Sequence, residues 1–290
     1  MAEPSPKLED RRIAFVLGGG GNLGSYEVGM LHALLERDIV PDVVVGTSVG
    51  ALNGAAIAAE PTMATVESLM QAWLTLGKQR IFASPFGGAG ALFSKGTHLH
   101  GNDELRALIK RLLPVETFEE LKVPFHCVAA SIERAAEQWF SEGSLTDAIL
   151  ASSAVPGLLP PVQIGGEHYL DGGLVNSIPV DRAVQLGATD LYVLHVGRIE
   201  RPLEPPRNLL QVAMVAFEIA RRHRFAREMA ALPAGVVSHV LPTGEEELPA
   251  YDPIGQLRYR DFRRVGERME RAYQATSRYL ESLSQLSPKG

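Results

Sequence analysis

The sequence predicts an α/β protein with a mostly parallel sheet flanked by helices. Three observations carry this. Short apolar runs at residues 12–17, 43–45 and 191–196 have the length and composition of strands buried on both faces. The first two end in glycine clusters, Gly18 to Gly21 and Gly46 to Gly50. Between them lie segments of helical length, so the first sixty residues read strand, glycine loop, helix, strand, turn, helix. That alternation is the signature of parallel strands joined by helical crossovers.

The elements follow in order. Arg12, Ile13, Ala14, Phe15, Val16 and Leu17 form the first strand. Residues 23–37 have helical spacing, with Val28, Leu31, Leu34 and Leu35 on one side. Pro41 precedes the second strand, Val43, Val44 and Val45, and the small-residue run 51–59 reads as a helix. Residues 62–77 look helical, 78–102 are glycine-rich and irregular, and Asn102 opens a helix to Leu113. Residues 125–132 read as a strand. Residues 144–153 read as a helix capped by Ser144, with Asp147 three residues on. Residues 165–173 hold a short strand and turn, 191–196 another buried strand, and 208–231 and 256–285 long helical patterns. No internal repeat, low-complexity segment or linker interrupts the chain. The expected organisation is a loose tail at 1–10 and one domain over 11–290, with its core motifs in 12–195 and a helical part at 205–286.

The chain has 290 residues, 46% of them hydrophobic. At this size about three quarters of the unfolded surface can be buried, so a large core is available. A net charge of −6 gives no basic footprint for nucleic acid. Cys127 is the single cysteine, so no intrachain disulfide can form. Its apolar neighbours favour a small buried hydrophobe over a reactive thiol. The first twelve residues lack the apolar stretch of a signal peptide, and no segment is long and apolar enough for a membrane span. A soluble, cytoplasmic protein is expected, with peripheral membrane contact left open.

Three constellations carry chemistry. Gly46, Thr47, Ser48, Val49 and Gly50 match G-x-S-x-G between a strand and a helix, the context of a nucleophile elbow. Glycines suit a turn that tight, and the helix N-terminus behind Ser48 favours negative charge. Without that context the pentapeptide would be a structural turn. Gly18, Gly19, Gly20 and Gly21, followed by Asn22, Leu23 and Gly24, expose successive N–H groups that can form an oxyanion hole. The same glycines fit the dinucleotide fingerprint G-x-G-x-x-G, with Asp42 about 20 residues on. Asp42, however, precedes the second strand, where the ribose-binding acid should follow it. Asp171, Gly172 and Gly173 alone signal only a turn. Beside Ser48 and the glycine loop, Asp171 becomes a candidate general base.

In this order the three motifs resemble those of patatin-like phospholipases. Residues 151–157, with Pro160 and Pro161 after them, and residues 176–180 also resemble family segments on either side of Asp171. The resemblance covers residues 12–195 and is weaker beyond. It implies a three-layer sandwich and a Ser48–Asp171 dyad. It also implies an oxyanion loop at Gly19, Gly20 and Gly21, and hydrolysis of a fatty-acyl ester of phospholipid or lysophospholipid type. No metal or organic cofactor is required. The family commonly carries arginine where this chain has Leu23, which puts catalytic strength in question and keeps a lipid-binding pseudo-enzyme as an alternative. A dinucleotide-dependent oxidoreductase is the other.

Other features receive plainer readings. His98 and His100 near Asp103 suggest a solvated loop rather than a metal site. Arg221, Arg222, Arg224 and Arg227 suggest a solvated helix face, with anionic lipid as the lesser option. Trp73, Phe82, Phe86 and Phe93 flank Gly87, Gly88 and Gly90; core anchoring is the first reading and a hinged lid or acyl-binding wall the second. Ser48, Asp171 and His195 also follow the chain order of a hydrolase triad. His195 reads instead as a buried strand position, and an aspartate base with the reference pKa near 4 implies no essential step at a histidine-like pKa.

Overall fold

The computed structural model describes residues 11–78, 101–196, 202–206, 209–244 and 264–286. The tail at 1–10, the glycine-rich loop with Phe82, Phe86, Phe93, His98 and His100, and the start of the last predicted helix lie outside these residues.

Five strands run parallel in the order β3 (Phe125–Ser131), β2 (Val43–Thr47), β1 (Ile13–Leu17), β7 (Asp190–Leu194) and β8 (Val237–Val240). Three antiparallel strands extend the sheet at β3: β4 (Ala136–Phe140), β5 (Val162–Ile164) and β6 (Glu167–Asp171). The helices are α1 (Ser25–Leu35), α2 (Val49–Ala59), α3 (Met63–Lys78), α4 (Asp103–Leu112), α5 (Leu145–Ser152), α6 (Val180–Gln185), α7 (Leu209–Ala230) and α8 (Val265–Leu286).

Period-two alternation divides the core into two layers. Ala14, Val16, Val43, Val45, Leu191 and Val193 face α6 and α7, packing with Ile178, Val180, Ala183 and Phe225. Phe15, Leu17, Val44, Tyr192 and Leu194 face the opposite layer, with residues of α1, α2, α3, α5 and α8. The central strands are therefore apolar on both faces, and the architecture is the expected three-layer sandwich.

Helix α1 departs from its predicted single apolar face. Val28, Met30, Leu31, Ala33 and Leu34 are all fully buried. The reason is α8, which covers the outward side of α1. At Gly29 a Cβ would lie 2.1 Å from Met269 O, so only glycine admits so close a crossing. Strands β4, β5 and β8 and helix α6 also escaped the sequence reading. They are three to six residues long, and β4 is a half-exposed polar edge strand without an apolar pattern.

Among the described residues, no helix is long and apolar enough to cross a membrane. The basic run on α7 is not a free cationic face. Arg221 and Arg222 both pair with Glu218, at 2.7 and 2.8 Å, and Arg224 pairs with Glu137, Asp181 and Glu228. Arg221 is itself buried, so the solvated-face reading fails there. Cys127 is fully buried, and burial pushes its thiol well above the ordinary range.

Candidate active site

Ser48 sits between the end of β2 and the first turn of α2, with φ 55° and ψ −121°. A non-glycine residue held there costs on the order of 1–3 kcal/mol, so the surroundings must enforce it. They do so by contact. A Cβ on Gly46 would lie 2.5 Å from Gly50 O, and one on Gly50 would lie 2.4 Å from Leu17 O. The G-x-S-x-G spacing thus reflects two backbone approaches that exclude any side chain. The Ser48 N–H donates to Ser152 Oγ at 2.9 Å, and the Ser48 carbonyl accepts from Ala51 N. Ser152 is fully buried. Ser152 lies in the segment 151–157, where nothing local in the sequence signals this task.

Asp171 arrives by another route. Cys127 and Val128 of β3 pair with both β2 and β4, and Ala129, Ala130 and Ser131 pair with both β4 and β6. Strands β2 and β6 therefore share one edge of β3 and meet end to end. Thr47 stands opposite Val128, and Asp171 opposite the next residue, Ala129. This brings Ser48 Oγ to 2.7 Å from Asp171 Oδ2. The other carboxylate oxygen, Oδ1, accepts from Gly173 N at 2.7 Å. Gly172 is required by proximity, since a Cβ there would lie 2.1 Å from Val128 O.

Both Ser48 and Asp171 are 7% exposed. Burial raises the Asp171 pKa from 3.8 to about 6, against the opposing hydrogen bonds from Ser48 and Gly173. This corrects the expectation of an ordinary aspartate, since burial holds the Asp171 carboxyl above the usual carboxylate range. The two candidate histidines have other neighbours as well. His168 Nδ1 is 2.7 Å from Glu133 Oε1 on the half-exposed side of β6. His195 lies just beyond β7, which ends two residues earlier than expected, and its ring is 6.4 Å from that of Phe225.

The glycine loop lies directly on the elbow. A Cβ on Gly19 would be 3.4 Å from Ser48 Cβ. Its N–H, however, donates to Ser177 O at 2.9 Å, as Gly18 N does to Leu194 O at 3.0 Å. Gly19 is thus a spacer whose donor is already committed, which corrects its expected place in an oxyanion hole. Among the described residues, neither Gly20 N nor Gly21 N meets a backbone acceptor outside the short 3-10 turn Gly21–Gly24. At Gly20 a Cβ would collide with Val196, and Gly21 has φ 57°.

A buried network holds this loop. Asn53 Nδ2 donates to Gly24 O at 3.0 Å and to Glu27 Oε2 at 2.7 Å, and Trp73 Nε1 donates to Asn53 Oδ1 at 3.1 Å. The Glu27 carboxyl is fully buried, and desolvation holds its pKa well above the usual range. Trp73 is accordingly a core anchor. Leu23 packs against the core, and Arg268 Nη1 of α8 reaches Asn22 O at 3.5 Å. Asp42 sits at the opposite ends of the strands, where its Oδ2 accepts from Ile13 N at 2.7 Å. It clamps β1 to β2 far from the loop, so it supplies no ribose contact for a dinucleotide.

These features define an α/β protein with a serine elbow and a carboxylate bonded directly to it. The patatin-like phospholipase family model matches residues 15–184, and the chain belongs to that family. It is 33% identical over 202 residues to a patatin-like phospholipase domain-containing protein of Caenorhabditis elegans, covering 67% of this chain and 14% of that protein. It is 28% identical over 199 residues to the lysophospholipase nte1 of Aspergillus terreus, covering 67% and 12%. The chain therefore spans under a sixth of the length of either relative. VipD from Legionella pneumophila superposes with a TM-score of 0.45 at 15% identity, over 96% of this chain and 68% of that one.

Proposed function

We propose that this domain is a serine acyl hydrolase acting on fatty-acyl esters of lipids, with Ser48 as nucleophile and Asp171 as general base. The observation that carries the reading is the 2.7 Å contact between Ser48 Oγ and Asp171 Oδ2 at a strained elbow. As Ser48 Oγ bonds to the ester carbonyl carbon, its proton passes to Asp171 Oδ2. The negative charge on the former carbonyl oxygen is met by the N–H groups of Gly20 and Gly21 and by the α2 N-terminus. Collapse of the tetrahedral centre breaks the bond to the alkoxide leaving group, which takes the proton back from Asp171. Water, deprotonated by Asp171, then cleaves the acyl-serine and regenerates Ser48. Lipid esters are favoured as substrates because relatives bear the names lysophospholipase and patatin-like phospholipase.

The test is covalent labelling. A fluorophosphonate should modify the peptide bearing Ser48, and Ser48→Ala should abolish both labelling and p-nitrophenyl ester hydrolysis. Undiminished hydrolysis by folded Ser48→Ala protein would sink the assignment, as would labelling at another serine.

A further inference from the structure

We propose that Phe217 of α7, together with Leu174, forms the apolar mouth through which the acyl chain reaches Ser48, making Phe217 a residue that determines chain-length specificity. This rests on the serine hydrolase reading and adds the direction from which the substrate enters. The Phe217 ring stands on the turn that holds Asp171: its Cζ lies 3.3 Å from where a Cβ on Gly173 would be, and that same Cβ position is 3.0 Å from Asp171 Oδ1. Leu174 is the next residue of the same turn. Beside them Ser48 and Asp171 are buried, as is Val196 next to Gly20. Yet Phe217 is 40% exposed and Leu174 43% exposed, two of few large apolar side chains among the described residues left so open to water.

Helix α7 is fixed over this turn. On the face it shares with Phe217, Arg224 bonds to Val175 O and pairs with Asp181, so the ring is held in place by contacts seven residues away. An exposed apolar pair against a buried reactive pair suits an apolar occupant that is absent until substrate arrives. A polar head group there would lose its hydration without a partner. The acyl chain, joined to the carbonyl carbon that Ser48 attacks, can lie against it.

Each methylene fully withdrawn from water changes an equilibrium by about fourfold, so partial cover by one ring should amount to about tenfold over a medium-length chain. The measurement is kcat/KM for monomeric p-nitrophenyl decanoate relative to p-nitrophenyl acetate. Phe217→Ala should lower that ratio by about tenfold, and Phe217→Leu should restore part of it. Ile219→Ala, which alters an exposed apolar residue two positions along the same helix, should leave the ratio as in the native protein. An unchanged ratio in Phe217→Ala protein that still labels at Ser48 overturns the inference while leaving the hydrolase reading intact. If the native protein hydrolyses neither ester and does not label at Ser48, the hydrolase reading itself falls, and this inference with it.

Discussion

Ser48 and Asp171 meet, but the chain builds their surroundings by opposite means. The Ser48 side has a local frame, to which Leu17 O and Ser152 Oγ add contacts from elsewhere in the chain. Within residues 43–59 a strand, a turn and a helix force one backbone position to φ 55°, and Gly46 and Gly50 are there because neighbouring carbonyls leave no space for a Cβ. The Asp171 side is non-local. Asp171 has a relaxed backbone, with φ −49° and ψ 130°, and owes its place to antiparallel pairing of β6 with β3. One half of the site is specified by strain, the other by register. A one-residue slip of β6 would turn Asp171 to the other face of the sheet.

The sharpest way to break the comparison is to remove chemistry from the relaxed half. Asp171→Asn should lower kcat/KM by several orders of magnitude in a protein that remains folded by circular dichroism. His195→Ala and His168→Ala should retain activity. A loss in folded His195→Ala protein equal to that of Asp171→Asn would replace the dyad with a triad. The glycine loop, packed on the strained half, offers the next largest effect. Proline at Gly20 would be a poor probe, because φ there is 177° and proline cannot adopt it. Replacing the amide at residue 20 by an ester removes the N–H alone. A fall of about a hundredfold in kcat is expected, whereas the same change at residue 19, whose N–H is bonded to Ser177 O, should register mainly in melting temperature.

The pH dependence separates the halves further. With Asp171 raised to about 6, kcat/KM should decline tenfold per pH unit below that value and level off above it. The limb should vanish from the residual activity of Asp171→Asn. Stability has the opposite sign. Because the folded pKa lies above the unfolded one, the folded state binds the proton more tightly between about pH 4 and 6, and stability falls as pH rises through that window. Asp171→Asn should therefore be more stable than the native protein at pH 7.5, by up to roughly 3 kcal/mol, with the gain gone at pH 4. Urea titrations at both pH values decide this. The smallest effect belongs to Ser152→Ala, which strands the buried Ser48 N–H. A destabilisation of about 1–3 kcal/mol is expected, read as a lower urea midpoint at unchanged slope.

What the sequence made legible follows the same division. The Ser48 half could be read from its residues, because strand, glycine pair and helix lie within one short window. Asp171 could be singled out only beside the other motifs, since Asp-Gly-Gly by itself signals a turn and pairing across β3 leaves no local trace. Gly19 was assigned a donor role because four glycines in a row do not reveal which N–H is already bonded. The pKa of Asp171 was missed because burial depends on the whole fold. Strands β4, β5 and β8 were too short or too polar for periodicity to find. Phe217 gave no signal at all, as its meaning comes from Gly173, forty-four residues earlier in the chain.

The end-to-end meeting of β2 and β6 also bears on how the protein reaches its active form. Ser48 and Asp171 are separated by 123 residues, and contacts of such separation are slow to form because a long loop must close first. Residues 43–59 can assemble the elbow early from neighbouring segments, but the carboxylate reaches it only after β3 has been laid down and β6 has docked in register. During refolding, recovery of esterase activity should lag behind recovery of helical signal, and a nascent chain released before residue 171 would carry the Ser48 elbow without the carboxylate that bonds to it.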